Sequence, residues 1–203
     1  MQTAQGIARS ADGTGIVFER SGDGPALVMV DPAGGYSGFD NIRGLGALLA
    51  LHAAAAGVPI EKLVLFEPPV RDEGAPPETA FTAEIAALVA AGDRAAAADR
   101  FLTAIGVPPE VIEGMAPVRP AFEAVAHTLV YDCVISDATD FDLLRSVRTP
   151  TLVLDSQGSS DDLTGGAAAI AVALPDGTLR TLTGEWHGVP DEDLAPVVAK
   201  YLR

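Results

Sequence analysis

Apolar residues in this chain gather in short, uninterrupted runs that are separated by polar turns and by alanine-rich stretches. Three runs are typical of strands that are covered on both faces, as in a parallel sheet. They span residues 26–30, 63–66 and 152–154. Near the start of the chain, two alternating segments flank the turn signal Asp12-Gly13, which predicts a β-hairpin over about 3–9 and 15–20.

Other apolar positions repeat at helical spacing. The most apolar helix is predicted from Gly46 to Ala56, and Gly57 ends it. Because this helix leads through a short turn into the run 63–66, the pair is half of a β–α–β unit and predicts a parallel sheet. The last third of the chain continues the pattern, with a strand over 151–155, a helix over 163–174, a strand over 178–183 and a helix over 191–202.

The stretch between the second and third apolar runs has a different character. Helical patterns begin there near residues 76, 92, 108 and 120, each at proline or at Gly-Asp, and no convincing strand lies among them. We therefore predict an α/β fold, in which 1–70 and 148–203 form a mainly parallel sheet with flanking helices. Residues 71–147 form an inserted helical cap, and such insertions commonly cover a site.

Charge and composition exclude several classes of function. The chain has 13 Lys and Arg against 28 Asp and Glu, a net charge of −15. A surface this acidic repels phosphate backbones and anionic lipid headgroups, so we expect neither nucleic-acid nor membrane binding. Three scattered histidines argue against a metal site, and no glycine-rich nucleotide motif occurs, so no cofactor is expected. With no targeting segment visible, we expect a cytoplasmic protein that binds a small molecule.

The order of elements resembles the α/β-hydrolases. The resemblance is most specific in 46–69, which ends in Lys62-Leu-Val-Leu-Phe-Glu-Pro-Pro69, and from Pro150 to the end of the chain. It implies a hydrolase for small organic esters or related acyl compounds. In that family a histidine just after the final strand is the general base, and His187 has this place. The loop with Gly34 and Gly35 resembles the one that supplies an oxyanion-hole N–H, so we expect both in one cleft at the carboxyl ends of the strands.

The family's base is oriented by an acidic residue that follows the strand equivalent to 151–155. Asp155, Asp161 and Asp162 all lie in this part of the chain. When the helix that ends near residue 174 is aligned, the family's acid falls nearest to Ser159, so no aspartate fits cleanly. Asp161 and Asp162 are the nearest candidates.

The family's nucleophile motif is altered. Gly-x-Ser-x-Gly reads here Ile42-Arg-Gly-Leu-Gly46, and Gly44, in the place of the serine, has no side chain with which to attack. This favours a second hypothesis, a non-catalytic relative that binds an apolar small molecule.

The family's central strands also have no room between Gly35 and Gly46, and a deletion, a truncated gene or a segment missing between Asn41 and Gly46 would each account for this. If the deletion is real, the runs 26–30 and 63–66 either pair directly or leave a gap that is one strand wide.

Overall fold

A parallel three-stranded sheet forms the centre of the computed structural model, which describes residues 3–9, 13, 15–21, 27–28, 44–184 and 188–203. Its elements, in chain order, are β1 (Thr3–Arg9), β2 (Gly15–Ser21), α1 (Gly44–Ala55), β3 (Leu63–Phe66), α2 (Thr79–Ala90), α3 (Arg94–Ala104), α4 (Pro109–Gly114), α5 (Arg119–Val125), a 3-10 turn (Ala126–Thr128), α6 (Leu129–Ala138), α7 (Phe141–Ser146), β4 (Thr151–Ser156), α8 (Asp161–Ala173), β5 (Gly177–Leu182) and α9 (Asp191–Leu202).

The sheet has the strand order β3-β4-β5, and both pairs are parallel. Leu63 lies opposite Thr151, which in turn lies opposite Gly177. All six residues of β4 are buried, as its continuous apolar run predicts for the inner strand. Within the described residues, the predicted α/β fold with a parallel sheet is therefore confirmed.

Helices cover both faces of this sheet. On one face, Leu51 of α1 and Ile170 of α8 pack with Leu65 and Val153. On the other face, Val197 of α9 belongs to the apolar cluster that contains Leu154. This layering leaves the strand ends as the place where loops from several elements meet.

The amino-terminal hairpin is also confirmed, since β1 and β2 pair antiparallel with Ile7 opposite Val17. The predicted buried strand over 26–30 is wrong for its two described residues. Leu27 and Val28 lie outside regular structure and keep 58% and 78% of their surface exposed. An apolar run becomes a covered strand only where other strands pair with it, and no described strand pairs with these residues. Val30 lies outside the described residues, and so does the predicted relation between the runs 26–30 and 63–66.

Only helices lie between β3 and β4, as the sequence predicts for 71–147. They have an apolar cluster of their own, which includes Phe101 and Phe122. Leu45, in the first turn of α1, packs against this cluster and against the cluster under the sheet. Leu45 is thus one point at which the inserted helices meet the central unit.

One inserted helix differs from its prediction. The pattern starting at Pro120 predicts a single helix to about residue 131, whereas α5 ends at Val125 and α6 continues to Ala138. The break coincides with the 3-10 turn, where the Thr128 hydroxyl donates to the Val125 carbonyl at 2.7 Å. Such side-chain bonds to the backbone compete with regular helix geometry.

Candidate active site at the carboxyl ends of the strands

The carboxyl ends of the three parallel strands meet at one edge of the sheet, which is where open α/β sheets bind ligands. An open cleft lies between the loops that follow β4 and β5, and its lining residues are Gln157, Gly158, Thr183 and Gly184. Two backbone bonds hold these loops together. Gln157 N donates to the Leu182 carbonyl at 2.9 Å, and Gly158 N donates to the Gly184 carbonyl at 2.8 Å.

Glu67 follows β3 directly at this edge and has an unusual backbone. Its φ is +43°, the one positive value among the described non-glycine residues. A conformation this rare costs on the order of 1–3 kcal/mol, and it persists where surrounding contacts impose it. Here the Glu67 N–H donates to the Leu154 carbonyl at 2.8 Å, while Pro68, which has no N–H, ends the strand immediately afterwards.

The Glu67 side chain is buried, with 1% of the residue exposed. Its Oε1 atom accepts three hydrogen bonds: from Ser156 N at 2.9 Å, from Ser156 Oγ at 2.6 Å and from Ser159 Oγ at 2.5 Å. The two hydroxyls also lie 2.7 Å from each other. Donors that converge on one carboxylate oxygen stabilise the charged form and fix its direction. We call Glu67, Ser156 and Ser159 the carboxylate clamp.

A second buried carboxylate stands on the neighbouring strand. Asp155 is 3% exposed, and its Oδ1 has no hydrogen-bond partner among the described residues. Because Phe66 lies opposite Leu154, the register brings Asp155 beside Glu67 where β3 ends. Fully buried acidic residues are rare outside paired or functional positions, so this edge of the sheet has the character of a site.

In the loop after β5, Gly184 lies close to Gly188 and Val189. A Cβ atom on Gly184 would stand 2.7 Å from the Gly188 carbonyl oxygen and 3.0 Å from Val189 Cα. No side chain fits at position 184 without moving that backbone, so the close approach explains why the position holds a glycine.

The sequence-predicted site residues fall partly outside the described residues. His187, Gly34 and Gly35 belong to this group. Gly44 is the first residue of α1, and the strand that the sequence predicts before it falls outside the described residues. Asp161 and Asp162 are the first two residues of α8, and Asp161 is exposed.

Sequence reasoning misses the carboxylate clamp. Glu67 is part of a Glu-Pro-Pro sequence that is typical of a strand end. The position where an acidic residue is expected holds Ser159, which is not acidic. The available signal was a charged residue directly after a continuous apolar strand, at the carboxyl edge where sites form. Its serine partners are 89 and 92 positions away along the chain, so only the fold reveals the contact.

The inserted helices are tied to α1 by a side-chain contact. His52 Nε2 lies 3.0 Å from the Thr139 hydroxyl, at the end of α6. Since that hydroxyl donates to the Ile135 carbonyl at 2.6 Å, the histidine nitrogen is the donor in the contact. No group of side chains in the described parts of the chain is arranged to hold a metal ion. Likewise, none of the described helices has the length and apolarity needed to cross a membrane.

No protein-family model and no curated protein matches the chain. Solved structures do match it. An alpha/beta hydrolase from Sphaerobacter thermophilus DSM 20745 is 35% identical, with a TM-score of 0.69, over 79% of this chain and 65% of that one. A hydrolase from Pseudomonas aeruginosa PA01 is 24% identical, with a TM-score of 0.51, over 78% of this chain and 58% of that one.

The enol-lactonase from Burkholderia xenovorans LB400 is 18% identical, with a TM-score of 0.50, over 78% of this chain and 61% of that one. The chain thus spans less than two thirds of the length of each of these three structures.

Proposed function

Because its fold places this chain in the α/β-hydrolase superfamily, we propose that it carries part of a hydrolase site for small organic esters or related acyl compounds. The observation that carries the proposal is the carboxylate clamp beside a cleft at the carboxyl edge of the parallel sheet. A strained and buried acid at this edge, with three donors on one of its oxygens, is typical of acid–base chemistry.

In the proposed site, His187 is the general base, and backbone N–H groups of Gly34 and Gly35 form the oxyanion hole. An attacking hydroxyl gives its proton to the imidazole while the ester carbonyl oxygen becomes negatively charged. Backbone N–H groups that point at this oxygen stabilise the charge. Asp161 and Asp162 are the acids that the sequence offers to orient the imidazole. The inserted helices 71–147 act as a cap over the acyl group.

The chain does not supply the serine. Gly44 begins α1 where the superfamily has its nucleophile, and removal of that hydroxyl alone typically lowers the rate by several orders of magnitude. Gly44 therefore favours a second candidate function. In it, the same cleft and cap bind an apolar small molecule without hydrolysing it.

The two functions separate when the hydroxyl is restored. With the natural chain, we expect 4-nitrophenyl acetate to be hydrolysed no faster than in buffer alone. With Gly44→Ser, we expect hydrolysis measurably above that background rate. The double variant Gly44→Ser with His187→Ala should return to background, because the serine then lacks its base.

Gly165→Ser is the matched control, since it adds the same hydroxyl to the exposed side of α8, where no atom lies within 4 Å of the new Cβ. Hydrolysis by Gly44→Ser alone supports the hydrolase site. A folded Gly44→Ser that remains at background favours the binding protein.

A further inference from the structure

The start of α2 and the end of α6 are bound to each other by side chains from both sides. We infer that Asp137 and Arg71 form a latch that holds α2 closed on α6, so that the inserted helices open locally at α2 and do not move as one body. Such a latch acts alike in a hydrolase and in a binding protein, and it goes beyond the proposed function.

One half of the latch is the Asp137 carboxylate, near the end of α6. Its Oδ1 accepts from the Glu78 N–H at 2.7 Å, and its Oδ2 accepts from the Thr82 hydroxyl at 2.5 Å. Glu78 directly precedes α2, and its own side chain makes no capping bond to the first amides of that helix. Asp137 therefore supplies, from another helix, the carboxylate that stabilises a helix start and favours its dipole.

The other half is Arg71, in the segment that leads from β3 to α2. Its guanidinium donates to the carbonyl oxygens of Ser136 and Asp137, and the second of these bonds measures 3.2 Å. Both carbonyls belong to the last turn of α6, where a positive charge complements the helix dipole. The segment before α2 is thus bound to the same helix end as α2 itself.

The fixed side of the latch is α6, because it is anchored on the central unit. Thr139 follows α6 directly, is fully buried, and has its hydroxyl 3.0 Å from His52 Nε2 of α1. Ile135 of α6 packs against the apolar cluster under the sheet. Opening of the insert is therefore expected on the other side, at α2.

Apolar packing holds α2 less firmly. Ile85 is the one buried residue of this helix, and Phe81 and Val89 are partly buried beside the insert's own apolar cluster. The ion pair between Glu84 and Arg100 is exposed, and such pairs contribute little to stability. An element with few buried contacts opens at a lower free energy than the whole fold, so the polar bonds at its start decide how often α2 opens.

The closed latch leaves one polar atom unsatisfied. Arg71 Nε is buried and has no hydrogen-bond partner in the described parts of the chain. A buried donor without a partner is unfavourable, and water satisfies it once the segment detaches. The buried nitrogen therefore favours opening, while the two bonds to the Asp137 carboxylate oppose it.

The test is amide hydrogen exchange of the intact chain followed by mass spectrometry, which reports opening helix by helix. In Asp137→Ala, exchange in α2 should accelerate about tenfold or more, because two hydrogen bonds to a charged group are lost, while α1 and β4 keep the rates of the natural chain. Asp137→Asn is the matched control. Its amide oxygen can accept from the Glu78 N–H and its NH₂ can donate to the Thr82 hydroxyl, so α2 should stay within about threefold of the natural rate.

Two further variants complete the test. Asp140→Ala removes the capping carboxylate of the neighbouring helix α7 and leaves the latch intact, so it should not accelerate α2 selectively. Thr82→Val removes one of the two bonds to Asp137, and it covers the case in which Asp137→Ala does not fold. Its α2 should exchange several times faster than in the natural chain.

Unchanged exchange of α2 in the folded Asp137→Ala and Thr82→Val variants overturns the inference. An equal acceleration of α2, α1 and β4 overturns it as well, because the insert then opens only when the whole fold does.

Discussion

Gly177 begins β5 directly beneath the end of α8, where a methyl group has no room. A Cβ atom at this position would stand 2.2 Å from the Ala171 carbonyl oxygen and 2.9 Å from Leu174 Cβ. The first contact is with helix backbone, which cannot rotate away as a side chain could. Gly177→Ala must therefore displace α8 from β5, and β5 carries the loop that leads to His187.

The expected cost follows from this overlap. Extra volume in a close-packed region destabilises by about 1–3 kcal/mol, and a clash with backbone belongs at the upper end of that range. Gly166→Ala is the matched control on the same helix, because no atom lies within 4 Å of its Cβ position. Since alanine favours a helix over glycine, this variant should gain about 0.5–1 kcal/mol.

Urea unfolding followed by circular dichroism measures both effects. The unfolding midpoint should fall for Gly177→Ala and rise for Gly166→Ala, and the dependence of the free energy on urea should stay the same in both. If Gly177→Ala unfolds at the same midpoint as the natural chain, the close packing of α8 on β5 is refuted.

Burial, with a smaller contribution from the Asp132 charge, raises the pKa of the Cys133 thiol from 9.0 to about 11. The protonated thiol should thus resist a disulfide reagent at pH 8 until urea unfolds the chain, and prompt labelling of the folded chain would contradict this. The same shift stabilises the folded state below about pH 9, and this contribution is lost as the pH rises through 11. Asp140 accepts from Leu143 N at 2.8 Å at the start of α7, so Asp140→Ala should lower the free energy of unfolding by about 1 kcal/mol. Asp142→Ala, at an exposed position, should change the free energy of unfolding much less. Equal losses in the two variants would contradict a stabilising role for the Asp140 hydrogen bond at the start of α7.

Much of the fold is predictable because its strands carry a local signal. The runs 63–66 and 152–154 are continuously apolar, with Pro68 shortly after the first and Pro150 shortly before the second, and both belong to strands within a residue or two of the expected limits. The closing helix has the predicted limits, Asp191–Leu202, since Pro190 precedes three acidic residues that favour a helix start.

The errors concern properties that depend on distant parts of the chain. The apolar run around Leu27 and Val28 has the composition of a covered strand, but burial requires neighbouring strands that the local pattern does not specify. The burial and hydrogen bonding of Glu67 were not predicted from the sequence for the same reason. Its burial and its bonds to Ser156 and Ser159 exist only because β3 and β4 lie side by side. The edge of the sheet was therefore predictable from the sequence, while the carboxylate clamp that lies on it was not.

The most direct test of the central claim is the intact mass of the chain after exposure to a fluorophosphonate, which forms a covalent bond with an activated serine oxygen and releases fluoride. The natural chain should remain unlabelled, because Gly44 has no hydroxyl. Gly44→Ser should gain a single phosphonyl group at the substituted position, and it should lose this reactivity when His187→Ala is added. A stoichiometric adduct on the natural chain, or a folded Gly44→Ser that stays unlabelled, would contradict the account.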